Sequence, residues 1–210
     1  MRIAVIDSGV HAAHPHVNGV AGGIAILPDG GEAADYTDRL GHGTAVTAVI
    51  REKAPDAQVF AVKIFHDSLA ARIGPLLRGI EWSVRNGMDL INLSLGTSNP
   101  DHRAALQDAV AGAVRRHCRI VAAGEDASVC WLPGAIEGVI AVKLDWDCPR
   151  QEYRKCTGTG GRVIYRASGY PRPAPDVPPE RNLKGLSFAV ANVTGLLAAQ
   201  GLPWSAGVSS

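Results

Sequence analysis

The sequence has almost no net charge and no long apolar run. Its 21 lysine and arginine residues balance 20 aspartate and glutamate residues, which leaves a formal net charge of +1 at pH 7. Such a surface lacks the positive field that nucleic acid or an anionic membrane attracts, so we expect neither as a partner. No stretch reaches the roughly 18 to 20 apolar residues that a membrane-spanning helix needs.

No secretion signal is apparent either. Residues 1–6 (MRIAVI) are typical of a buried strand rather than of a signal peptide, so we expect a cytoplasmic protein. The four cysteines lack the paired C-x-x-C spacing of a structural zinc site, because 11, 17 and 7 residues separate them. In a reducing compartment we expect Cys118, Cys130, Cys148 and Cys156 to be free thiols.

Three histidines lie close together near the N-terminus, at positions 11, 14 and 16. A metal site is one interpretation, but Pro15 lies within the cluster and no neighbouring cysteine or acidic residue completes a ligand set. The sequence favours a surface turn here, and we predict no metal ion or other cofactor.

Short apolar runs alternate with longer segments of helical spacing along the chain. Strands of unbroken Val, Ile and Leu that alternate with helices are typical of a parallel sheet covered on both faces. The sequence thus predicts a doubly wound α/β fold, with a mainly parallel sheet and helices on both faces, as one domain over residues 1–210. The predicted strands are 3–6, 59–65, 90–95, 120–123 and 139–142, and the predicted helices are 42–53, 75–86 and 104–116.

The segment from Trp146 to Leu183 is irregular and contains six prolines. A flexible linker and a long ordered loop both fit this composition. Because no second core follows the prolines, the sequence favours an ordered loop that leads to the last helix.

Several polar residues are expected at one edge of the predicted sheet. Ligands of a doubly wound sheet bind where the strands end at their carboxyl edge. Asp7 follows the first strand, Ser94-Leu95-Gly96 ends a central strand, and Ala123-Gly124-Glu125 ends the next. His42 starts a helix between two glycines, and Ser187 starts the last apolar helix. Each signal alone is weak, because serine often caps a helix and aspartate often starts a turn.

In combination, five ordered segments resemble the subtilisin-like serine proteases, and the resemblance covers nearly the whole chain. The segments are 5–10 (VIDSGV), 41–44 (GHGT), 79–82 (GIEW) through 92–96 (NLSLG), 121–124 (VAAG) and 185–189 (GLSFA). The resemblance implies a catalytic triad in which Asp7 orients His42, and His42 takes the proton of Ser187 near neutral pH. The backbone N–H of Ser187, at a helix start, would then stabilise the oxyanion.

The same resemblance implies a substrate-binding strand. Ser94, Leu95 and Gly96 would pair with the main chain of a peptide or protein substrate bound in extended form, while side-chain pockets supply selectivity. The implied substrate-binding region also contains Ala122, Ala123, Gly124 and Trp131.

Glu125 departs from the family, which usually has an asparagine that donates to the oxyanion. An ionised carboxylate would repel that charge, whereas a protonated one would donate a hydrogen bond. Losing one such donor costs about 10²- to 10³-fold in rate, a figure measured in this family, so a slow enzyme or a shifted pH profile is expected. The other interpretation stays open: Glu125 faces solvent and a different group donates.

Trp131 stands where the family often has glycine at the base of its main specificity pocket. A tryptophan that points inward would make the pocket shallow and select Gly, Ala or Ser before the cleaved bond, whereas a tryptophan packed on the surface would not. The segment after His42 is also too short for the calcium-binding loop of many relatives, so we do not expect calcium dependence.

The resemblance implies a serine endopeptidase. Since only six residues precede Asp7, without a folding propeptide, we expect a narrow processing protease that removes a leader from a peptide precursor, with a possible partner protein of a maturation pathway. The short intracellular subtilases that act on the small subunit of quinohemoprotein amine dehydrogenase are similar in size. The alternative is a catalytically impaired module that binds extended peptide as a chaperone or scaffold. Glu125 favours this alternative, as does the segment 186–192 (LSFAVAN), where the family prefers TSMASPH.

Overall fold

The structure is a computed structural model, and it describes residues 1–124, 129–173, 177–178 and 181–201. In this part of the chain, nine strands form one sheet with four α-helices packed on it. The strands are β1 (Arg2–Asp7), β2 (Gly22–Ile26), β3 (Glu32–Ala33), β4 (Gln58–Lys63), β5 (Leu90–Leu93), β6 (Arg119–Ala123), β7 (Val139–Leu144), β8 (Tyr153–Thr157) and β9 (Val163–Ala167). The helices are α1 (His42–Lys53), α2 (Ile73–Arg85), α3 (Arg103–Arg115) and α4 (Leu186–Gln200), with short 3₁₀ helices at Pro100–His102 and Thr159–Gly161.

The strand order in the sheet is β3-β2-β4-β1-β5-β6-β7-β9-β8. The seven strands from β2 to β9 pair in parallel, whereas β3 and β8 pair antiparallel at the two edges. In the central register, Ile6 of β1 lies between Val62 of β4 and Leu93 of β5. The carboxyl ends of the central strands therefore meet at one edge, as a doubly wound sheet requires.

Both faces of the sheet are buried under helices. Ile3 and Val5 of β1 point toward α1 and α4, while Ala4 and Ile6 point toward α2 and α3. Because side chains alternate between the two faces of a strand, a strand covered on both sides must be apolar at every position. This requirement explains the unbroken apolar run at the start of the chain, and the predicted doubly wound α/β fold is confirmed.

The predicted boundaries lie within about three residues of the observed ones. The largest shift at a helix start is at α2, which begins at Ile73 rather than at Pro75. Gly87 follows this helix with a left-handed φ of 68°, a conformation that glycine favours at the end of a helix. None of the helices in the described part of the chain is long and apolar enough to cross a bilayer.

The expectation of an irregular segment from residue 146 to 183 was wrong for its first half. The hairpin of β8 and β9 lies there and completes the sheet edge. The sequence hid it because β8 is an edge strand whose Arg154 and Lys155 are exposed, so no apolar run marks it. Strands β2 and β3 were likewise not predicted. Pro175 and Pro179 lie outside the described residues.

Candidate active site

The structure brings Asp7 and His42 into direct contact. Asp7 ends β1 and is fully buried, and His42 is the first residue of α1. The His42 Nδ1 atom lies 2.7 Å from Asp7 Oδ1, and 13% of the His42 side chain is exposed. A hydrogen bond to a buried carboxylate holds the proton on Nδ1 and leaves Nε2 free to accept one.

Glycine at position 43 makes this contact possible. A Cβ atom there would lie 2.2 Å from the carbonyl oxygen of Gly9 and 3.1 Å from the Asp7 side chain. Only glycine therefore lets the first turn of α1 approach the loop after β1 this closely. The residue before His42, Gly41, adopts a left-handed φ of 82°, so both glycines of the Gly-His-Gly motif have a conformational reason.

Asp38 is a half-buried acid that the sequence did not single out. Its Oδ1 accepts hydrogen bonds from Ser8 Oγ and from the N–H groups of Leu40 and Gly41, and its Oδ2 accepts from the N–H and Oγ1 of Thr44. Burial raises the pKa of this carboxyl, but these hydrogen bonds outweigh burial and the net pKa is lowered. An acidic residue shortly before a helix is the signal that would have found it.

The two carboxylates set the charge of the imidazole. Burial of His42 lowers its pKa, but the hydrogen bond and charge of Asp7, with the charge of Asp38, act more strongly in the opposite direction. The net pKa of His42 is therefore raised above its usual value. The site stabilises an imidazolium, which is the species that a general base forms when it takes a proton.

Ser187 lies at the start of α4 but its hydroxyl points to the end of β5. Ser187 Oγ donates to the carbonyl of Ser94 at 3.1 Å, and Ser94 Oγ donates to the carbonyl of Ser187 at 3.2 Å. His42 and Ser187 line the same cavity, yet no hydrogen bond joins them among the contacts of the described residues. In unliganded enzymes such catalytic hydrogen bonds are often long and tighten only with substrate.

A chain of buried hydrogen bonds supports this serine pair. Thr194 lies seven residues after Ser187, on the same face of α4, and its hydroxyl donates to Asn92 Oδ1 at 2.9 Å. Asn92 Nδ2 in turn donates to Ser94 Oγ at 2.8 Å. Asn92 and Thr194 are fully buried. An asparagine in an otherwise apolar strand needs buried partners, and this signal would have directed attention to it.

The cavity beside Ser187 has a volume of about 270 Å³. It brings together most of the residues expected to bind substrate, namely Ser94, Leu95, Gly96, Ala123 and Trp131. Trp131 packs against Gly96, where an added Cβ would lie 3.3 Å from the indole ring. Ala122 instead lies in the core, and Gly124 bonds through its N–H to the carbonyl of Val142. Glu125, the expected oxyanion residue, lies outside the described residues.

The backbone next to this cavity has unused hydrogen-bonding groups. Thr97 pairs with Leu132 through two backbone hydrogen bonds of 2.9 Å. Within the described residues, the N–H and C=O groups of Leu95 and Gly96 have no such partner. They are available to an added strand.

A second cavity of about 260 Å³ also borders Leu95 and Gly96 and extends to Thr97 and His102. Its lining includes Leu69, Ile73 and Leu76. An extended chain along residues 94–97 would therefore have one pocket at the serine and another further along.

No metal or disulfide chemistry is built into the described part of the chain. Its residues contain no group of three His, Cys, Asp or Glu side chains that could hold a metal ion. All four cysteines are thiols, of which Cys118 and Cys148 are buried. Burial raises the pKa of Cys118 to about 12, so this thiol stays neutral.

Comparison with known proteins identifies the family. The model of the subtilase family matches residues 1–168. The chain belongs to the subtilase family. The resemblance drawn from the motifs is thereby confirmed.

The relatives give the extent of this likeness. The chain is 34% identical over 182 residues to the minor extracellular protease Epr of Bacillus subtilis (strain 168), an alignment covering 80% of this chain and 27% of that protein. It is 36% identical over 132 residues to subtilisin E of the same organism, covering 59% of this chain and 33% of that protein. The chain thus spans about a third or less of the length of these relatives.

Solved structures share the fold at low sequence identity. The prenylagaramide maturation protease PagA aligns with a TM-score of 0.64 and 23% identity, covering 95% of this chain and 74% of that one. A lanthipeptide protease aligns with a TM-score of 0.71 and 19% identity, covering 95% of this chain and 72% of that one. At these identities the likeness concerns the fold alone.

Proposed function

We propose that this subtilase is a serine endopeptidase in which Ser187 is the nucleophile, His42 the general base and Asp7 the residue that orients the base. The observation that carries the proposal is the hydrogen bond between the buried Asp7 and His42. His42 lines the same cavity as Ser187 at the start of α4. A serine hydroxyl is a weak nucleophile until a positioned base takes its proton.

The proposed reaction starts with a change of partner. Substrate binding turns the Ser187 hydroxyl from the Ser94 carbonyl toward Nε2 of His42, which takes the proton as Oγ bonds to the carbonyl carbon of the peptide. The backbone N–H of Ser187 stabilises the resulting oxyanion. His42 then passes the proton to the departing amine as the C–N bond breaks, and water hydrolyses the acyl enzyme by the same route.

The substrate we propose is an extended peptide paired with Leu95 and Gly96. Their free backbone groups support this pairing, because an added strand gains main-chain hydrogen bonds there. Trp131 against Gly96 narrows the cavity at Ser187, which supports a small residue before the cleaved bond. The pocket with Leu69 and Leu76 supports an apolar residue further toward the N-terminus of the substrate.

We propose processing of a peptide precursor as the biological role. Two proteins with this fold are a maturation protease and a lanthipeptide protease, and a small cavity fits a selective enzyme better than a digestive one. A cytoplasmic location and a partner protein of a maturation pathway are part of this proposal. The four free thiols support the location, because a reducing compartment keeps thiols in that form.

Mass spectrometry of a peptide library tests the activity. Wild-type protein is expected to cleave a subset of peptides with Gly, Ala or Ser before the bond, and Ser187→Ala is expected to cleave none. Cleavage mainly after large side chains would contradict the assigned role of Trp131. Binding of extended peptides without cleavage would instead favour the non-catalytic peptide-binding module.

A further inference from the structure

The histidine cluster near the N-terminus lines a cavity that the proposed reaction does not use. This cavity, here called the histidine pocket, has a volume of about 320 Å³. It lies between the loop after β1, the first turns of α1 and the segment that leads to α4. The polar and charged residues of its lining include His11, His14, His16, Asp38, Arg172 and Asn182.

Three residues that line the histidine pocket offer hydrogen-bond donors, namely Arg172, His14 and Asn182. Arg172 Nη1 donates to the carbonyl of His16 at 3.2 Å, and this is the sole hydrogen bond of that guanidinium within the described residues. His14 Nδ1 accepts from the N–H of His16 at 3.2 Å, so its proton lies on Nε2 and is available as a donor. The amide nitrogen of Asn182 adds another donor, because its Oδ1 already accepts from the N–H of Leu183.

Among the described residues, no carboxylate is hydrogen-bonded to these donors, and Asp38 contributes one negative charge to the lining. Asp38 uses both oxygens in five hydrogen bonds to Ser8, Leu40, Gly41 and Thr44. Glu52, which acts on His16 from α1, is paired with Arg150 and Lys53. Burial is the largest cause that lowers the pKa of His16, and the charges of Arg172 and His14 lower it further against the opposing charge of Glu52.

The position of the histidine pocket relates it to one side of the cleaved bond. The acyl part of the substrate lies along Ser94–Gly96, and His42 returns its proton to the departing amine, so the leaving chain passes the His42 side. Gly41, the neighbour of His42, and Thr44 line the histidine pocket. Asn182 and Arg172 belong to the segment that leads to Ser187.

We propose that the histidine pocket binds a carboxylate side chain, Asp or Glu, on the C-terminal side of the cleaved bond. Arg172 carries the charge that recognises it, and His11, His14 and Asn182 add hydrogen bonds. A metal ion is not the occupant, because no three ligand side chains converge on one point in the described residues. The assignment to that side of the bond rests on the proposed peptidase function.

A binding experiment with uncleavable complexes tests the pocket. The probes are two blocked nine-residue alanine peptides, one with Asp and the other with Asn at the three positions after the central alanine. Both are titrated into Ser187→Ala protein while the Cε1–H NMR signals of the histidines are followed. We expect the acidic peptide to bind about tenfold tighter and to shift the signals of His11, His14 and His16.

Matched variants in the Ser187→Ala background separate the pocket from general charge. Arg172→Gln is expected to reduce the preference to about twofold or less, and His11→Gln, which removes an exposed donor, is expected to weaken it. Arg85→Gln, which removes an exposed charge from α2, serves as the control and keeps the preference. Equal binding of both peptides, or a preference that survives Arg172→Gln, would overturn the proposal.

Failure of this proposal is distinguishable from failure of the peptidase. The binding titration needs no turnover, so an inactive wild-type protein would leave its result unchanged. Conversely, a wild-type enzyme that cleaves the acidic and amide peptides with equal kcat/KM would overturn the histidine pocket assignment alone.

Discussion

The surroundings of His42 and those of Ser187 are built from different interactions. His42 is held by the buried charge of Asp7 and by a glycine contact, with Asp38 nearby. Ser187 is held by a neutral chain of hydroxyl and amide groups that runs from Thr194 through Asn92 to Ser94. Charged groups thus hold His42 in position and raise its pKa. The Ser187 hydroxyl, in contrast, is bonded to the Ser94 carbonyl, an acceptor that it must leave during the reaction.

The largest effect is expected on the base side. Asp7→Asn removes the carboxylate that holds His42 in the productive tautomer, so kcat is expected to fall by on the order of 10⁴-fold. Steady-state kinetics on a cleaved library peptide measures this change, with circular dichroism as a check on folding. A variant that folds and keeps more than about a tenth of the activity would contradict the role of Asp7.

The substitution Gly43→Ala is expected to disturb the position of His42 through a steric clash. The Cβ of Gly43→Ala would lie 2.2 Å from a backbone oxygen, so α1 must move and carry His42 with it. We expect a loss of about 1 to 3 kcal/mol or more in the free energy of unfolding, with a large loss of activity. Urea denaturation measures the first quantity.

Gly112→Ala is the matched control for that substitution. Gly112 lies within α3. A Cβ atom added there would lie 3.8 Å from its nearest neighbour, the Arg115 side chain. This variant is expected to be about 0.5 to 1 kcal/mol more stable than wild type, because alanine favours a helix interior. A similar loss of stability in both variants would show that the contact of Gly43 with Gly9 is not the cause.

On the nucleophile side, Thr194 is expected to act through position rather than charge. Thr194→Val removes the hydroxyl and leaves Asn92 Oδ1 without a donor, which costs about 1 to 3 kcal/mol of stability. The loosened serine is expected to lower kcat by about tenfold with little change in KM. Thr194→Ser keeps the hydroxyl and should restore kcat.

Active-site titration separates this effect from misfolding. The kcat of each Thr194 variant is calculated per titrated serine, so unfolded protein does not contribute. If kcat per active site is unchanged in Thr194→Val, the hydrogen bonds from Thr194 through Asn92 to Ser94 have a purely structural role.

The smallest expected effect is a shift in pH dependence. A general base must be neutral to accept a proton, and the pKa of His42 is raised, so the rising limb of kcat/KM should have its midpoint above the usual histidine value of about 6.5. Asp38→Asn removes one of the charges that raise the pKa of His42, so the midpoint should fall. A midpoint that rises in Asp38→Asn, or one that lies below 6.5 in the wild-type enzyme, would contradict this account of the imidazole.

The sequence was most informative where one physical requirement controls residue type. Strands buried on both faces must be apolar. In the Gly-His-Gly motif, a close backbone contact requires glycine at position 43, and a left-handed φ favours glycine at position 41. These patterns located the central sheet, α1 and the residues Asp7, His42 and Ser187.

The remainder depends on contacts between distant segments. Asn92 contacts Thr194 across 102 positions, and no local sequence pattern pairs these two residues. The edge strand β8 is marked by exposed charges rather than by an apolar run. The acceptor of the Ser187 hydroxyl was likewise not predictable, since Ser94 after β5 and His42 at the start of α1 line the same cavity.

Labelling with a fluorophosphonate probe tests the central claim most directly, because it requires an activated serine but no knowledge of the substrate. The account predicts one label, on Ser187, with a rate that rises as His42 loses its proton, and no label in Ser187→Ala. Wild-type protein that is folded yet takes no label between about pH 5 and 9, or a label that persists in Ser187→Ala, would contradict it.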